Sequence, residues 1–149
     1  MRFEQRIRVK ATPAQTWALL WDVERLAKCL PGCEEARELE PGQRYEAVVV
    51  ERVGPFKSQF VMELSVAEAQ VERLVRLQAK GKDQKLGASI VGELEVRLQG
   101  SDAGGTVLDI LADIQIRGKI AGLGQVVIKR KAQDIIGRFG DAIAADLDS

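Results

Sequence analysis

Two stretches of strict alternation follow one another in the second half of this chain. Leu86, Ala88, Ile90, Gly92, Leu94, Val96 and Leu98 alternate with residues that include Glu93, Glu95, Arg97 and Gln99. Leu108, Ile110, Ala112, Ile114 and Ile116 then alternate with Asp109, Asp113, Gln115 and Arg117. A period of two puts each apolar set on one face of a strand. One dry face and one wet face point to an antiparallel sheet covered on one side. The period then changes. Ile128, Ala132, Ile135, Phe139, Ile143 and Leu147 form an apolar stripe along a helix expected over about Leu123 to Leu147. Lys129, Arg130, Gln133, Arg138 and Asp141 face away from it. A one-sided sheet and a one-sided helix bury their dry faces most economically against each other.

The rest of the chain fits that pairing. Arg2 to Lys10 alternates, with Phe3, Ile7 and Val9 on one face, and reads as a half-buried strand. Thr12-Pro13-Ala14-Gln15 is a helix start with a capping box and a proline in the first turn. Trp17, Leu20 and Trp21 share one face of that helix, and Asp22 caps a second one, Val23 to Lys28, stopped by Pro31-Gly32. Strands are expected over Glu34–Leu39, Gln43–Val53, Phe56–Ala67, Val71–Gly81, Leu86–Gln99 and Thr106–Arg117. Their turns fall at Pro41-Gly42, Gly54-Pro55, Ala69-Gln70, Lys82-Asp83 and Asp102 to Gly105. The predicted architecture is a single α+β helix-grip domain over residues 1–149. A curved antiparallel sheet of about seven strands wraps a long C-terminal helix, with two short helices after the first strand. A chain of 149 residues buries about 68–70% of its unfolded surface, enough for a core with a cavity in it.

Charge and residue types narrow the function. The 22 basic and 22 acidic residues balance, and aromatics are 5%, which argues against nucleic acid as a partner. Met1 to Lys10 is charged rather than apolar, and no apolar run approaches the ~18 residues that span a bilayer. The expected location is cytoplasmic, with peripheral contact at the inner membrane face left open. There is no histidine, and the two cysteines, Cys29 and Cys33, cannot close a tetrahedral metal site by themselves. No metal and no cofactor is expected. A general base would have to be Asp, Glu, Lys or Tyr. The candidate carboxylates Glu93, Glu95, Asp109 and Asp113 all fall on wet faces. This pattern suits binding better than acid–base chemistry.

Four motifs in order carry a family resemblance. They are Val23-Glu24-Arg25-Leu26-Ala27-Lys28-Cys29-Leu30-Pro31-Gly32-Cys33, Val53-Gly54-Pro55, Gly105-Thr106, and Gly118-Lys119-Ile120-Ala121-Gly122-Leu123-Gly124. With them the chain resembles the CoxG-like family, named for the G component of carbon monoxide dehydrogenase, within the START/Bet v 1-like superfamily. The resemblance implies an accessory role beside molybdenum hydroxylases of the CO-dehydrogenase type, contact with a lipid-like or quinone-like molecule, and recruitment to the membrane. Longer members carry a linker and a hydrophobic tail. Ser149 follows the helix directly, so a tail-borne anchor is not expected here. The alternatives are a polyketide-cyclase-like enzyme acting on a small apolar substrate, and an assembly factor with a filled core.

Two groups of site residues follow. A cavity between helix and sheet is expected to be lined by Trp17, Trp21, Tyr45, Phe60, Met62, Leu77, Ile90, Leu94, Ile110, Ile114, Ile135 and Phe139. The hydroxyl of Tyr45 would reach water or a ligand carbonyl. A rim and gate are expected at one end, where alternate turns of a meander gather. Its members are Gly54, Pro55, Phe56, Lys57, Lys82, Lys85, Lys119, Gly122, Leu123 and Gly124. Arg52, Lys80 and Arg117 add positive charge there, and only Glu51 and Asp83 oppose it. Phe56 and Leu123 read as apolar tips, Gly118–Gly124 as a flexible hinge, and Cys29 and Cys33 as small buried groups around the helix-ending turn.

Overall fold

The computed structural model describes every residue from Met1 to Ser149. Strand β1 (Arg2–Val9) leads into α1 (Pro13–Trp21) and α2 (Val23–Cys29). Six strands follow: β2 (Cys33–Glu40), β3 (Arg44–Val53), β4 (Phe56–Gln70), β5 (Leu74–Asp83), β6 (Ala88–Gly100) and β7 (Thr106–Arg117). A 3-10 turn, Lys119–Leu123, connects to the long helix α3 (Gln125–Asp148). The strands form one antiparallel sheet in the order β1-β7-β6-β5-β4-β3-β2.

Local chemistry places the helices where the sequence predicts them. The Thr12 hydroxyl accepts from the Gln15 N–H at 3.2 Å, and the Gln15 side chain accepts from the Thr12 N–H at 2.9 Å. Asp22 accepts from the Arg25 N–H at 3.2 Å and starts α2. The two alternating strands are neighbours, and their register sets Leu98 against Leu108, Val96 against Ile110 and Leu94 against Ala112. The dry set therefore forms one continuous face. Val75, Leu77 and Ala79 of β5 extend it opposite Val96, Leu94 and Gly92.

The sheet curls because α3 touches both of its flanks. The helix packs on β1, the edge strand, and also reaches β3, the sixth strand in the order. Strands lie ~4.8 Å apart, so those two would be about 24 Å apart in a flat sheet. A helix is about 10–12 Å across, so a sheet that bends around it brings both flanks within reach, with the long side chains of Lys131 and Arg138 spanning the last stretch to β3. The close side of that grip is built on Gly140. A Cβ at this position would lie 2.5 Å from Gln5 Nε2 and 2.9 Å from Ile7 Cδ1, so the missing side chain lets α3 sit directly on β1.

Packing gathers in three places rather than in one central core. Ile7, Val9, Ala11, Leu108 and Ile110 pack with Ala144 and Leu147 at the β1 flank. Val53, Ala88, Ile120 and Ile128 close one end. Leu19, Cys29 and Ile143 join α1, α2 and α3.

Three expectations are corrected. The turn between β5 and β6 lies at Gln84 to Gly87, not at Lys82-Asp83, because Lys82 and Asp83 still pair with Ser89 and Ala88 at the end of β5. The turn between β4 and β5 lies at Val71-Glu72-Arg73, not at Ala69-Gln70, because β4 continues past a bulge between Val66 and Glu68. Glu72 takes a left-handed conformation (φ 61°) that its residue type does not advertise. The Gly118–Gly124 segment is not a free hinge. Its middle is a 3-10 turn, and Ile120 is only 1% exposed.

Ile110 is 4% exposed on the buried face, whereas Asp109 points outward and is bridged by Arg6 at 2.8 and 3.1 Å. Ile110→Asp is expected to cost on the order of 4 kcal/mol or to prevent folding, because it buries an unpaired charge. Asp109→Asn is expected to shift the melting temperature by a few degrees at most. Thermal unfolding of the two variants checks the register, and equal losses would contradict it.

Candidate functional site

Between α3 and the middle of the sheet lies a concave floor. The pairings put Tyr45 beside Leu64, Ala47 beside Met62, Leu77 beside Leu94, Ile90 beside Ile116 and Gly92 beside Ile114, all on the helix side. Tyr45, Met62, Leu64, Leu77, Ile90, Leu94 and Ile114 are half-buried even though they face the helix. None of these residues belongs to the three packed clusters. The grip that brings α3 onto β1 and β3 holds it off β4, β5 and β6.

The other residues expected to line a cavity are distributed differently. Ile110 is part of the packed β1 cluster. Phe60 leans on the end cluster around Ile120, and Phe139 packs against Leu19, Cys29 and Ile143. Ile135 is half-buried on α3. Trp17 and Trp21 stand edge to face with ring centroids 5.6 Å apart, half-buried, while the fully buried positions of α1 are Thr16 and Leu19. The Tyr45 hydroxyl accepts from the Gly42 N–H at 3.0 Å, and burial pushes its pKa up, so it remains a phenol with its own proton to donate.

The concave face also carries polar groups that the alternation of β6 and β7 does not reveal. Glu51 shares the face of Tyr45 and Val49, in phase at i+6 and i+2. It receives Lys131 Nζ at 2.7 Å and Arg138 Nη2 at 3.2 Å, so α3 is tied to β3 by an ion cluster. Helical spacing turns Arg138 away from the sheet, but its length lets it reach back around the helix. Asp83 is 4% exposed and accepts from the Gln59 and Leu86 N–H groups at 2.8 and 3.0 Å. The inward register of Tyr45, visible in the sequence, already contains the signal for Glu51.

At the predicted rim the turns do gather. A Cβ on Gly54 would lie 3.0 Å from Leu123 Cδ1, which puts the β3–β4 turn under the connection to α3. Pro55, Lys57, Lys82, Lys85, Lys119, Gly122 and Gly124 are exposed. Phe56 and Leu123 are not tips, because both pack against the end cluster. The exposed apolar groups at this end are Val126 and Val127 on the first turn of α3.

The segment from Cys29 to Cys33 has structural work. Gly32 takes φ 78° and its carbonyl accepts from Val50 N–H at 2.8 Å, so the turn after α2 lies flat on β3. Cys29 is buried and Cys33 half-buried, with no disulfide. Burial pushes both thiols up, so each is protonated at neutral pH and a poor nucleophile. Nowhere do three or more acids, cysteines or histidines cluster as metal ligands would. Of the outer-face carboxylates, Glu95 is held low mainly by its hydrogen bond from Arg76, and Asp109 by that from Arg6. Both folded pKa values lie below the unfolded ones, so their contribution is full above about pH 5 and fades as pH falls further.

A long C-terminal helix gripped by a seven-stranded antiparallel sheet is the START/Bet v 1-like fold. Solved structures agree. A conserved protein from Geobacillus kaustophilus is similar over 99% of this chain and 95% of its own, at 20% identity and a TM-score of 0.88. A START superfamily protein from Mycobacterium smegmatis covers 98% and 96% at 10% identity, TM-score 0.73. The ZhuI aromatase/cyclase from Streptomyces sp. R1128 covers 95% and 93% at 19% identity, TM-score 0.63. At such identities the likeness speaks for the fold alone. The family model for CoxG, the G component of carbon monoxide dehydrogenase, matches residues 6–148. The chain belongs to the CoxG family. No curated protein matches it by sequence.

Gly124 takes φ 92° at the start of α3, while Gly122 has no such conformation and open space around it. Gly124→Ala is expected to lose about 1–2 kcal/mol of stability, and Gly122→Ala to change little. Denaturant unfolding of both variants separates backbone geometry from gating at this connection.

Proposed function

We propose that this protein is a non-enzymatic accessory protein. It holds an apolar, lipid-like or quinone-like molecule between the concave sheet face and α3 on behalf of a molybdenum hydroxylase of the CO-dehydrogenase type. The observation that carries the reading is the half-buried floor of Tyr45, Met62, Leu64, Leu77, Ile90, Leu94 and Ile114. Large apolar side chains that face a helix yet stay accessible have free area that an apolar guest would cover, at about 25 cal/mol per Å2. The free phenolic proton of Tyr45 suits a carbonyl at the wall of such a site. Membership of the CoxG family supports the hydroxylase as the client. Against acid–base chemistry stand the absence of histidine and the engagement of the inward carboxylates, Glu51 by Lys131 and Arg138, Asp83 by backbone N–H groups.

The end of the domain where α3 begins is the proposed membrane-facing side. Val126 is 70% exposed there, beside Val127 and the exposed cations Lys119, Lys129 and Arg130. No helix is long and apolar enough to cross a membrane, so contact would be through this surface. Each basic group near an anionic leaflet contributes about 1 kcal/mol.

Two measurements test the proposal. Native mass spectrometry of the purified protein with a short-tailed benzoquinone should reveal a one-to-one complex. Leu77→Trp should abolish that complex while leaving the fold intact, because the new ring occupies the open floor. A stable Leu77→Trp variant that binds as wild type does would remove the floor from consideration. Vesicles of phosphatidylglycerol should co-sediment the protein at low salt and release it as salt rises, and Val126→Asp with Lys119→Glu should end the association. Indifference of the wild type to such vesicles would end the membrane half of the proposal alone.

A further inference from the structure

The two acids placed to offset the basic end are both engaged elsewhere. Glu51 points to the helix side and is held by Lys131 and Arg138. Asp83 is buried against backbone N–H groups. What remains at that end of the outer face is rich in lysine. Lys57 on β4, Lys80 and Lys82 on β5, and Lys85 just beyond it are exposed, and none makes an ion pair. They line an open depression of about 1120 Å3 across the outer face of β3 to β6. Its floor includes Val61 and Val91, exposed by 47% and 51%. The pairings fix the order: Val61 lies beside Lys82, and Lys80 lies between Glu63 and Val91. The wall toward β3 is acidic: Glu63, directly beside Lys80, is bridged by Arg44, Glu46 is bridged by Arg37, and Glu34 is free.

A second outer depression offers the contrast. It holds about 370 Å3 beside Arg2, Arg76, Glu93, Glu95 and Asp113. There Arg76 bridges Glu95 at 2.9 Å, and Arg2 lies 3.6 Å from Asp113. Its basic groups, Arg2 and Arg76, are therefore both paired, and the acids Glu4 and Glu93 are what it leaves over. In the larger depression it is the lysines that are left over, since none of the four makes an ion pair.

We propose that the lysine depression is a docking site for an extended acidic segment of a partner protein. Three observations select that occupant. The lysines on β5 lie inside a concavity, which a flat bilayer cannot follow but a single chain can. Cross-strand neighbours such as Lys82 with Val61 and Lys80 with Val91 suit a strand-like segment whose acidic side chains alternate with apolar ones. The acidic wall toward β3 repels a uniform polyanion, and the depression has no aromatic ring on which a base could stack, which disfavours nucleic acid. This site lies on the opposite face of the sheet from the proposed ligand floor, so it stands or falls independently of any molecule held inside.

The probe is a fluorescent peptide of about ten residues alternating glutamate and valine, long enough to cross four to six strands at ~4.8 Å each. Fluorescence anisotropy with the full chain should show saturable binding that weakens steeply as salt rises. Lys80→Glu with Lys82→Glu should weaken it by about tenfold or more, since two attractions become repulsions. These side chains are exposed, and circular dichroism should show the variant folded. Lys119→Glu with Lys129→Glu, at the end of the domain, should leave peptide binding unchanged. Failure of the peptide to bind at low salt overturns the proposal, as does equal binding by the β5 double variant. Phosphatidylglycerol vesicles or a single-stranded oligonucleotide that bind more tightly than the peptide, and lose binding in the same β5 variant, would assign the surface to a membrane or to nucleic acid instead and equally overturn it.

Discussion

The contact of one helix with two distant strands governs this molecule. α3 seats on β1 because Gly140 leaves room for Gln5 and Ile7, and it is tied to β3 because Glu51 draws in Lys131 and Arg138. The sheet curls around α3 between these two contacts, and none of its middle strands packs on the helix as β1 does. Packing condenses at the β1 flank, at the end where α3 begins and where α1 and α2 meet α3, while the floor between these clusters stays partly open. The concavity is a consequence of the grip rather than a separate feature.

That arrangement makes the two sides of the sheet chemically different. The inner side offers apolar area and a few placed polar groups, which is the composition of a small-molecule site. The outer side is held by cross-strand ion pairs over much of its area, such as Arg76 with Glu95 and Arg6 with Asp109. Exposed pairs of this kind add little stability individually, and their larger effect is to cancel charge locally. Where they stop, around Lys57, Lys80, Lys82 and Lys85, the surface becomes electrostatically incomplete. A net charge of +0 hides this, because acids elsewhere in the chain balance these lysines in the total.

The connection before α3 illustrates how a glycine-rich segment is used. Gly118 and Gly124 take φ 101° and 92° and allow the chain to enter and leave a single 3-10 turn. Ile120 then drops into the end cluster with Val53, Ala88 and Ile128. The glycines serve a sharp path and a buried anchor. Glycine content alone reads as flexibility because it reports the freedom of the unfolded chain, not the contacts that remove it.

Local sequence dictates the period of every element. The caps at Thr12 and Asp22, the wet and dry faces of β6 and β7, the helix-grip class, and the family through the Ala27 to Cys33 segment are all legible in it. These are properties of neighbours within a few residues, and alternation or helical spacing displays them directly. Which apolar residues are packed and which stay open is settled by long-range packing, so that Ile110 is core while Leu94, on the adjacent strand and the same face, is floor. The same packing assigns Glu51 to α3 and Gly140 to Gln5, contacts that span 80 and 135 residues of chain. Such outcomes depend on how far a sheet curls and on which distant strands one helix touches, and periodicity along a single segment carries no information about either.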